Sequence, residues 1–476
     1  MTAEDFSNPQ SDISSPTPDG IEFSTMPPKD KKTLRKAIAG SALGNAVEWF
    51  DYGVYAYLSG YIASSFFPGP WGTVATFGVL ALSFVFRPLG GFVLGPLGDK
   101  LGRQKVMVIT IIMMTIPTTL IGILPTFGVV GVLAPILLLL CRIVQGFSTG
   151  GEYGGAAVFM AEYAPDRRRG FCGSFLEFGT LLGTGGGALV CTVLTVIVGD
   201  DAMSAGWWRL PFLLTLPLGG VALWLRMSLK EPPVFSEAAE HQETSKKPFR
   251  DLFSGYWRQI VMLMAFVVLL NIADYMVLTY MPSYLSEVLG HSTVQSNFTL
   301  IVIIALMMCV INWFGSLTDR IGRKPLLYVA AIGYILLSVP SFMLIRTHNV
   351  FLQGVGIGIL GILLVIMLCS ISATLPAIFP TQVRYSGFAI GYNISTAVFG
   401  GTTAMVNSFF IKELDFDMFP AWYLVAAGIV GLIGIYFFRE TAGRSLRGDQ
   451  IPGDNDEELA TAGIPLIGYK QPEPES

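Results

Sequence analysis

Seven ionisable residues fall inside long apolar stretches: Glu48, Asp51, Arg87, Arg142, Glu152, Glu177 and Asp274. A charge near the centre of a membrane helix costs about 3 kcal/mol or more, so such residues face a cavity or a partner. Five acids meet two arginines, and the three histidines (His241, His291, His348) all lie outside these stretches. Any proton carried through the membrane therefore falls to carboxylates. Burial favours the neutral carboxyl and a nearby guanidinium the charged one, so a group held between the two can bind and release a proton. At helical spacing Asn45, Glu48, Tyr52 and Tyr55 share a stripe with Asp51 at its edge, and Arg142, Gln145, Thr149 and Glu152 share another. The spacing predicts one network, Glu48/Asp51–Arg87–Arg142–Glu152. Glu48, Asp51, Glu152 and Glu177 are the candidate proton carriers.

A cavity with more acids than arginines suits a proton plus a zwitterion or cation better than a dicarboxylate. Aromatic residues point the same way. Trp49, Phe50, Tyr52 and Tyr55, with Tyr275, Tyr280 and Tyr284, could cage a quaternary ammonium at about 0.5–2 kcal/mol per cation–π contact. Arg87 or Arg142 could pair with a substrate carboxylate. Tyr153 and Asp274 complete the candidate substrate-binding set. Aromatic rings in membrane helices also serve packing and interfacial belts, and the sequence leaves both roles open.

The elements that must position these residues are membrane helices. The chain has 476 residues, 52% hydrophobic and 13% charged, with a mean hydropathy of +0.59. Soluble domains carry about 25% charged residues. Taking about 20 apolar residues per crossing, twelve spans are predicted, near 38–66, 72–96, 106–126, 130–156, 171–198, 209–227, 258–286, 295–317, 325–345, 350–378, 387–411 and 420–438. The domain reading is a disordered arm over 1–35, a six-helix half over 36–227, a central loop over 228–257, a second six-helix half over 258–438 and a flexible tail over 439–476. Lys and Arg concentrate in alternate loops (Lys100, Arg103, Lys105; Arg167 to Arg169; Arg320, Arg323, Lys324), which predicts cytoplasmic termini. No Walker loop, zinc spacing or nucleophile elbow occurs. An enzyme, a metal, a cofactor and a nucleic-acid partner are not expected; an ion gradient must supply the energy, with the lipid bilayer as surroundings and a monomer as the expected unit.

An internal repeat links the halves. Gly95-Pro96-Leu97-Gly98-Asp99-Lys100-Leu101-Gly102-Arg103 recurs as Gly315-Ser316-Leu317-Thr318-Asp319-Arg320-Ile321-Gly322-Arg323, each after the second span of its half. Pro165-Asp166-Arg167-Arg168-Arg169 is echoed by Pro380-Thr381-Gln382-Val383-Arg384 after each fourth span. Two pairs at matching positions indicate duplicated six-helix halves. These loops, with Arg142-x-x-Gln145-Gly146, resemble the motifs of the major facilitator superfamily. That resemblance implies a conformational-gating role for Asp99, Arg103, Asp319 and Arg323. Leu43 to Tyr55, Arg87-Pro88-Leu89-Gly90-Gly91, Gly150-Gly151-Glu152-Tyr153 and Gly206 to Phe212 resemble the metabolite:proton symporter family. Leu278 to Ser286 and Ser372 to Thr381 are similar to the proline/betaine transporters within it, over about residues 33–447. Members can carry a C-terminal coiled coil, which this tail lacks.

The fold implied is an all-α integral membrane protein of twelve transmembrane helices in two pseudo-symmetric six-helix halves. The function implied is proton-coupled uptake of a small zwitterionic solute such as proline, glycine betaine or ectoine, across the plasma membrane by alternating access. A proton symporter for a ketoglutarate- or citrate-type acid is the nearest alternative. A transport-inactive osmotic or nutrient sensor is a more distant one.

Overall fold

The computed structural model describes residues 28–69, 72–229, 231, 252–253, 255–347, 349–446 and 451–452. Their architecture is helical. We label the long helices α1 (Pro28–Tyr57, continued by Ser59–Phe66), α2 (Gly72–Leu101), α3 (Arg103–Ile123), α4 (Leu133–Tyr163), α5 (Arg169–Ala205) and α6 (Leu210–Met227). The second half holds α7 (Trp257–Val288), α8 (Thr293–Ile321), α9 (Arg323–Ile345), α10 (Val350–Thr374), α11 (Arg384–Leu414) and α12 (Phe419–Phe437). Among the described residues, eleven helices are long and apolar enough to cross a membrane. The remaining long helix, α1, carries the basic stretch before residue 37 and then Glu48 and Asp51, which hold down its mean hydropathy. Counting it gives each half six. Outward faces are apolar, with Leu306, Leu336 and Ile433 all more than half exposed, as lipid contact requires.

Each half packs by the same rules. In the first, α1 lies on α5 and α6, α2 on α4, and α3 on α4 and α6; in the second, α7 lies on α12, α8 on α10, and α9 on α10 and α12. The halves meet along α2–α11 and α5–α8, with further contacts of α4 on α11 and α5 on α10. Close approach depends on glycines spaced by four. A Cβ at Gly146 or Gly150 would strike the α2 backbone at Ser83 and Arg87, and one at Gly179 or Gly183 the α1 backbone at Ala42 and Ala46. Three helical stretches widen into π turns: Tyr275–Tyr280 and Tyr284–Val288 in α7, and Thr396–Gly400 in α11.

Two domain boundaries shift. α1 begins at Pro28 rather than after residue 35, since proline is tolerated in a first helical turn and the lysines and arginines that follow are good helix formers. The expected disordered arm otherwise lies outside the described residues. So do most of the central loop and the end of the tail. The start of the tail departs from a flexible reading: Thr441, Ala442, Arg444 and Leu446 are buried against the loops at one end of the bundle.

Candidate functional site

Four aromatic side chains close a ring where the halves meet. Trp49 and Tyr52 come from adjacent turns of α1, Phe84 from α2, and Tyr275 from the first π turn of α7. Neighbouring centroids lie 6.1 Å (Trp49–Tyr52), 5.8 Å (Tyr52–Phe84), 5.7 Å (Phe84–Tyr275) and 6.3 Å (Tyr275–Trp49) apart. Gly400, in the π turn of α11, makes room for the Tyr275 ring, which a Cβ there would meet. The Arg87 guanidinium sits 5.3 Å from the Phe84 centroid and 5.9 Å from that of Tyr52, and donates a hydrogen bond of 3.3 Å to the Tyr275 hydroxyl. Its ion partner is Glu48, at 3.7 Å, and both are buried. Neither Glu48 oxygen, nor Arg87 Nε, nor Trp49 Nε1 has a hydrogen-bond partner.

The single network expected from spacing resolves into three separate pairs. Arg142 reaches Asp51 at 2.6 Å and lies 3.7 Å from the Tyr55 centroid, while Gln145 Nε2 donates to Asp51 (3.1 Å) and to Thr118 (2.6 Å). The Tyr55 hydroxyl is engaged too, donating to the Thr76 carbonyl at 3.0 Å. Asp51, Arg142 and Tyr55 are thus occupied by one another inside the first half. Glu152 pairs with Arg226 of α6 and accepts a hydrogen bond from Thr110. Arg226 threads past Gly44, where any Cβ would collide with its guanidinium. Arg226 ends the sixth apolar stretch, and its long stem reaches back into the bundle.

Within the first half, the Tyr153 hydroxyl of α4 donates to Glu177 of α5 at 2.5 Å, and Thr180 donates to the other carboxylate oxygen at 3.1 Å. Tyr153 stacks on Tyr392 of α11 at 4.5 Å. Asp274 is buried within electrostatic reach of Glu177 and Arg87, and its Oδ1 has no partner. Tyr280 and Tyr284 stand apart from the ring. Tyr284 packs on Phe342 at 5.4 Å and donates to the Asp417 carbonyl, and Tyr280 lies beside it at 6.3 Å.

Asp99, Arg103, Asp319 and Arg323 lie at the end of the bundle where the basic loops sit. Asp99 accepts from the backbone N–H of Tyr385 (3.2 Å) and Ser386 (2.8 Å), capping α11 across the boundary between halves. Asp319 accepts from Gly170 (2.7 Å) and Phe171 (2.8 Å), capping α5 in the mirrored sense. Arg103 pairs with Asp99 and with Glu162, both at 3.2 Å, and Glu162 pairs in turn with Arg384 at 2.8 Å. Arg323 makes no ion pair among the described residues; it donates to the carbonyls of Ala373 and Thr441 and to the Thr441 hydroxyl. The sequence reading missed Glu162, Arg226, Glu231 and Glu440. Glu231 caps the start of α3 through Arg103 N and Gln104 N, and Glu440 that of α9 through Lys324 N. Gly102 and Gly322, at φ 108° and 104°, supply the turn before each of these helices. A signal was present: Lys230-Glu231 and Arg439-Glu440 each follow the last span of a half, a third repeated pair. The tail completes this layer, with Arg169 donating to the Arg444 carbonyl (3.0 Å) and Arg384 to that of Leu446 (2.8 Å).

The profile of the Major Facilitator Superfamily matches residues 42–405. The chain belongs to that superfamily. Its relatives include the glycine betaine/proline/ectoine/pipecolic acid transporter OusA of Dickeya dadantii (strain 3937), 42% identical over 431 residues, which are 88% of this chain and 86% of that protein. The proline/betaine transporter of Escherichia coli (strain K12) is 41% identical over the same extents. Among solved structures, the proton:xylose symporter XylE bound to 6-bromo-6-deoxy-D-glucose superposes with a TM-score of 0.73 at 17% identity, covering 91% of this chain and 99% of that one. At that identity the likeness speaks for the fold, which is a major facilitator fold.

Proposed function

We propose that this facilitator is a proton-coupled symporter of compatible solutes such as proline, glycine betaine and ectoine, working by alternating access at the plasma membrane. The observation that carries the reading is the four-membered aromatic ring holding Arg87 and Glu48 at the boundary between the halves. A quaternary or secondary ammonium at its centre would lie within about 6 Å of all four ring centroids, the reach of a cation–π contact. Arg87 would take the substrate carboxylate as a charge-assisted pair. Glu48, buried and without a close hydrogen-bond partner, is the first candidate for the coupled proton, with Glu177 of the same half and Asp274 across the boundary. Asp51 and Glu152 are each committed to a close arginine and serve this reading as packing anchors. The names of the relatives support the solute class. In this reading the Asp99/Asp319 layer faces the cytoplasm, an orientation supported by the Lys- and Arg-rich loops beside it. The capped α5 and α11 then correspond to a carrier closed toward the cytoplasm. The proton gradient supplies the energy.

Uptake into proteoliposomes under an imposed pH gradient tests this. Saturable accumulation of labelled betaine and proline is expected. Ketoglutarate uptake without betaine uptake would overturn the solute class in favour of a carboxylate symporter, and sodium dependence without proton dependence would overturn the coupling. In Glu48→Gln, exchange of labelled for unlabelled betaine should persist while gradient-driven accumulation falls at least tenfold. Full accumulation in that variant would remove Glu48 from the proton role.

A further inference from the structure

Among the ion pairs buried in the first half, Glu48–Arg87 is the loose one. Arg142 approaches Asp51 to 2.6 Å with a hydrogen bond, whereas Arg87 stands 3.7 Å from Glu48 without one. Arg87 instead leans on the Phe84 and Tyr52 rings and on the Tyr275 hydroxyl. Its guanidinium therefore stands at the edge of the ring, within cation–π reach of two of its four walls, and blocks a second cation from settling there. Arg87 Nε, both Glu48 oxygens and Trp49 Nε1 remain without hydrogen-bond partners around it.

We propose that Arg87 is a resident cation that the substrate must displace from the aromatic ring, which restricts the site to zwitterions. The inference rests on the reading of the ring as an ammonium site. Before binding, Arg87 is compensated by Glu48. A zwitterion exchanges partners: its carboxylate draws the guanidinium out of the ring, and its ammonium takes the vacated ring beside Glu48. While Glu48 is a carboxylate, before the coupled proton binds, every buried charge keeps a partner through the exchange, which matters because an unpaired buried charge is costly. A cation without a carboxylate meets a ring already bordered by positive charge on the Phe84 and Tyr52 side and has nothing to move it. An anion without an ammonium draws Arg87 away and leaves Glu48 uncompensated. Specificity thus comes from the two-charge exchange rather than from the shape of the ring alone.

The test uses the full chain in proteoliposomes and three probes: glycine betaine, choline (the ammonium without the carboxylate) and 3,3-dimethylbutanoate (the carboxylate with carbon in place of nitrogen). The wild-type protein should bind betaine and bind the other two at least tenfold more weakly. In Arg87→Gln the ring is empty and Glu48 unpaired, so choline should bind at least tenfold tighter than to wild type and betaine at least tenfold weaker. Tyr275→Phe keeps the ring but removes the hydroxyl that holds Arg87, so betaine affinity should rise several-fold. A folded Arg87→Gln protein that gains no choline binding, or a Tyr275→Phe protein that binds betaine more weakly, overturns the proposal. If Arg87→Gln does not fold, the Tyr275→Phe result decides alone. Wild-type protein that binds no betaine would overturn the ammonium-site reading and the exchange with it. Wild-type betaine binding without the choline gain removes the exchange only.

Discussion

The two halves meet the same problem in the layer of repeated loops and solve it differently. Asp99 caps α11 and Asp319 caps α5, two backbone N–H groups each, and the pairings are mirror images. The arginines four residues on are not mirrored. Arg103 is held by Asp99 and Glu162, and Glu162 also binds Arg384 across the boundary, so this side is an ionic clamp. Arg323 has carbonyls and one hydroxyl, and its Nε and Nη2 are buried without partners. Aligning Pro165 with Pro380 puts Ala377 where Glu162 would be. One missing carboxylate therefore turns a charge clamp into a polar contact. The helix caps set how the halves register, and the clamp adds hold on one side only.

The largest expected effect comes from breaking the clamp. Glu162→Gln leaves Arg103 and Arg384 facing each other in a buried layer, a change that costs about 3–5 kcal/mol. A falling thermal midpoint in detergent would register it. Arg323→Gln should cost less, about 1–3 kcal/mol, the value of charged hydrogen bonds lost. Equal losses would end the distinction between the halves.

The caps come next. Asp99→Asn and Asp319→Asn each weaken a helix N-terminus by about 1–2 kcal/mol. Hydrogen exchange should quicken locally, at Tyr385 and Ser386 in the first variant and at Gly170 and Phe171 in the second. Asp99→Asn should show the greater effect, since Asp99 also binds Arg103 and accepts from the Ser386 hydroxyl.

The smallest effect is a pH slope. Burial pushes the Glu231 carboxyl above its ordinary value, against the backbone N–H groups of Gln104 and Arg103, which lower it. An acid with a raised folded-state value binds its proton more tightly when folded, so its contribution to stability declines as pH rises through that range. The wild-type midpoint minus that of Glu231→Gln should therefore fall slightly as pH rises above the ordinary glutamate value of about 4. A difference that rises with pH would mean the caps outweigh burial.

Much of this was legible in the chain. The repeated Asp–Gly–Arg loops located the layer of caps between the halves, because a turn that needs a positive-φ glycine and a capping acid leaves a fixed spacing. The intramembrane charges located the centre, because hydrocarbon tolerates so few. Pairing was not legible. Spacing placed Glu152 on the same stripe as Arg142, but Arg226, 74 residues further on, is the group that reaches it. Which neighbour a helical face meets depends on rotation and on glycine gaps such as Gly44, and neither is a property of one helix. Tyr280 and Tyr284 were equally good cage candidates by type. The structure sets Tyr275 against Phe84 of α2 and Tyr284 against Phe342 of α9, a difference that type and spacing do not reveal.

The π turn beginning at Tyr275 carries a consequence for movement. A π turn holds one residue more than an α turn can use, so α7 stores surplus length beside the ring, and α11 stores its own at Gly400. Tightening α7 to regular geometry would rotate everything on one side of the turn by about 100° relative to the other, since each α-helical residue advances by that angle. The fourth wall of the ring could then be withdrawn by rewinding a single turn, with no helix tilting and no half moving. α1 and α2, which supply the other three walls, are α-helical at those residues. The ring thus has three walls on regular α-helix and one on a turn with a residue to spare.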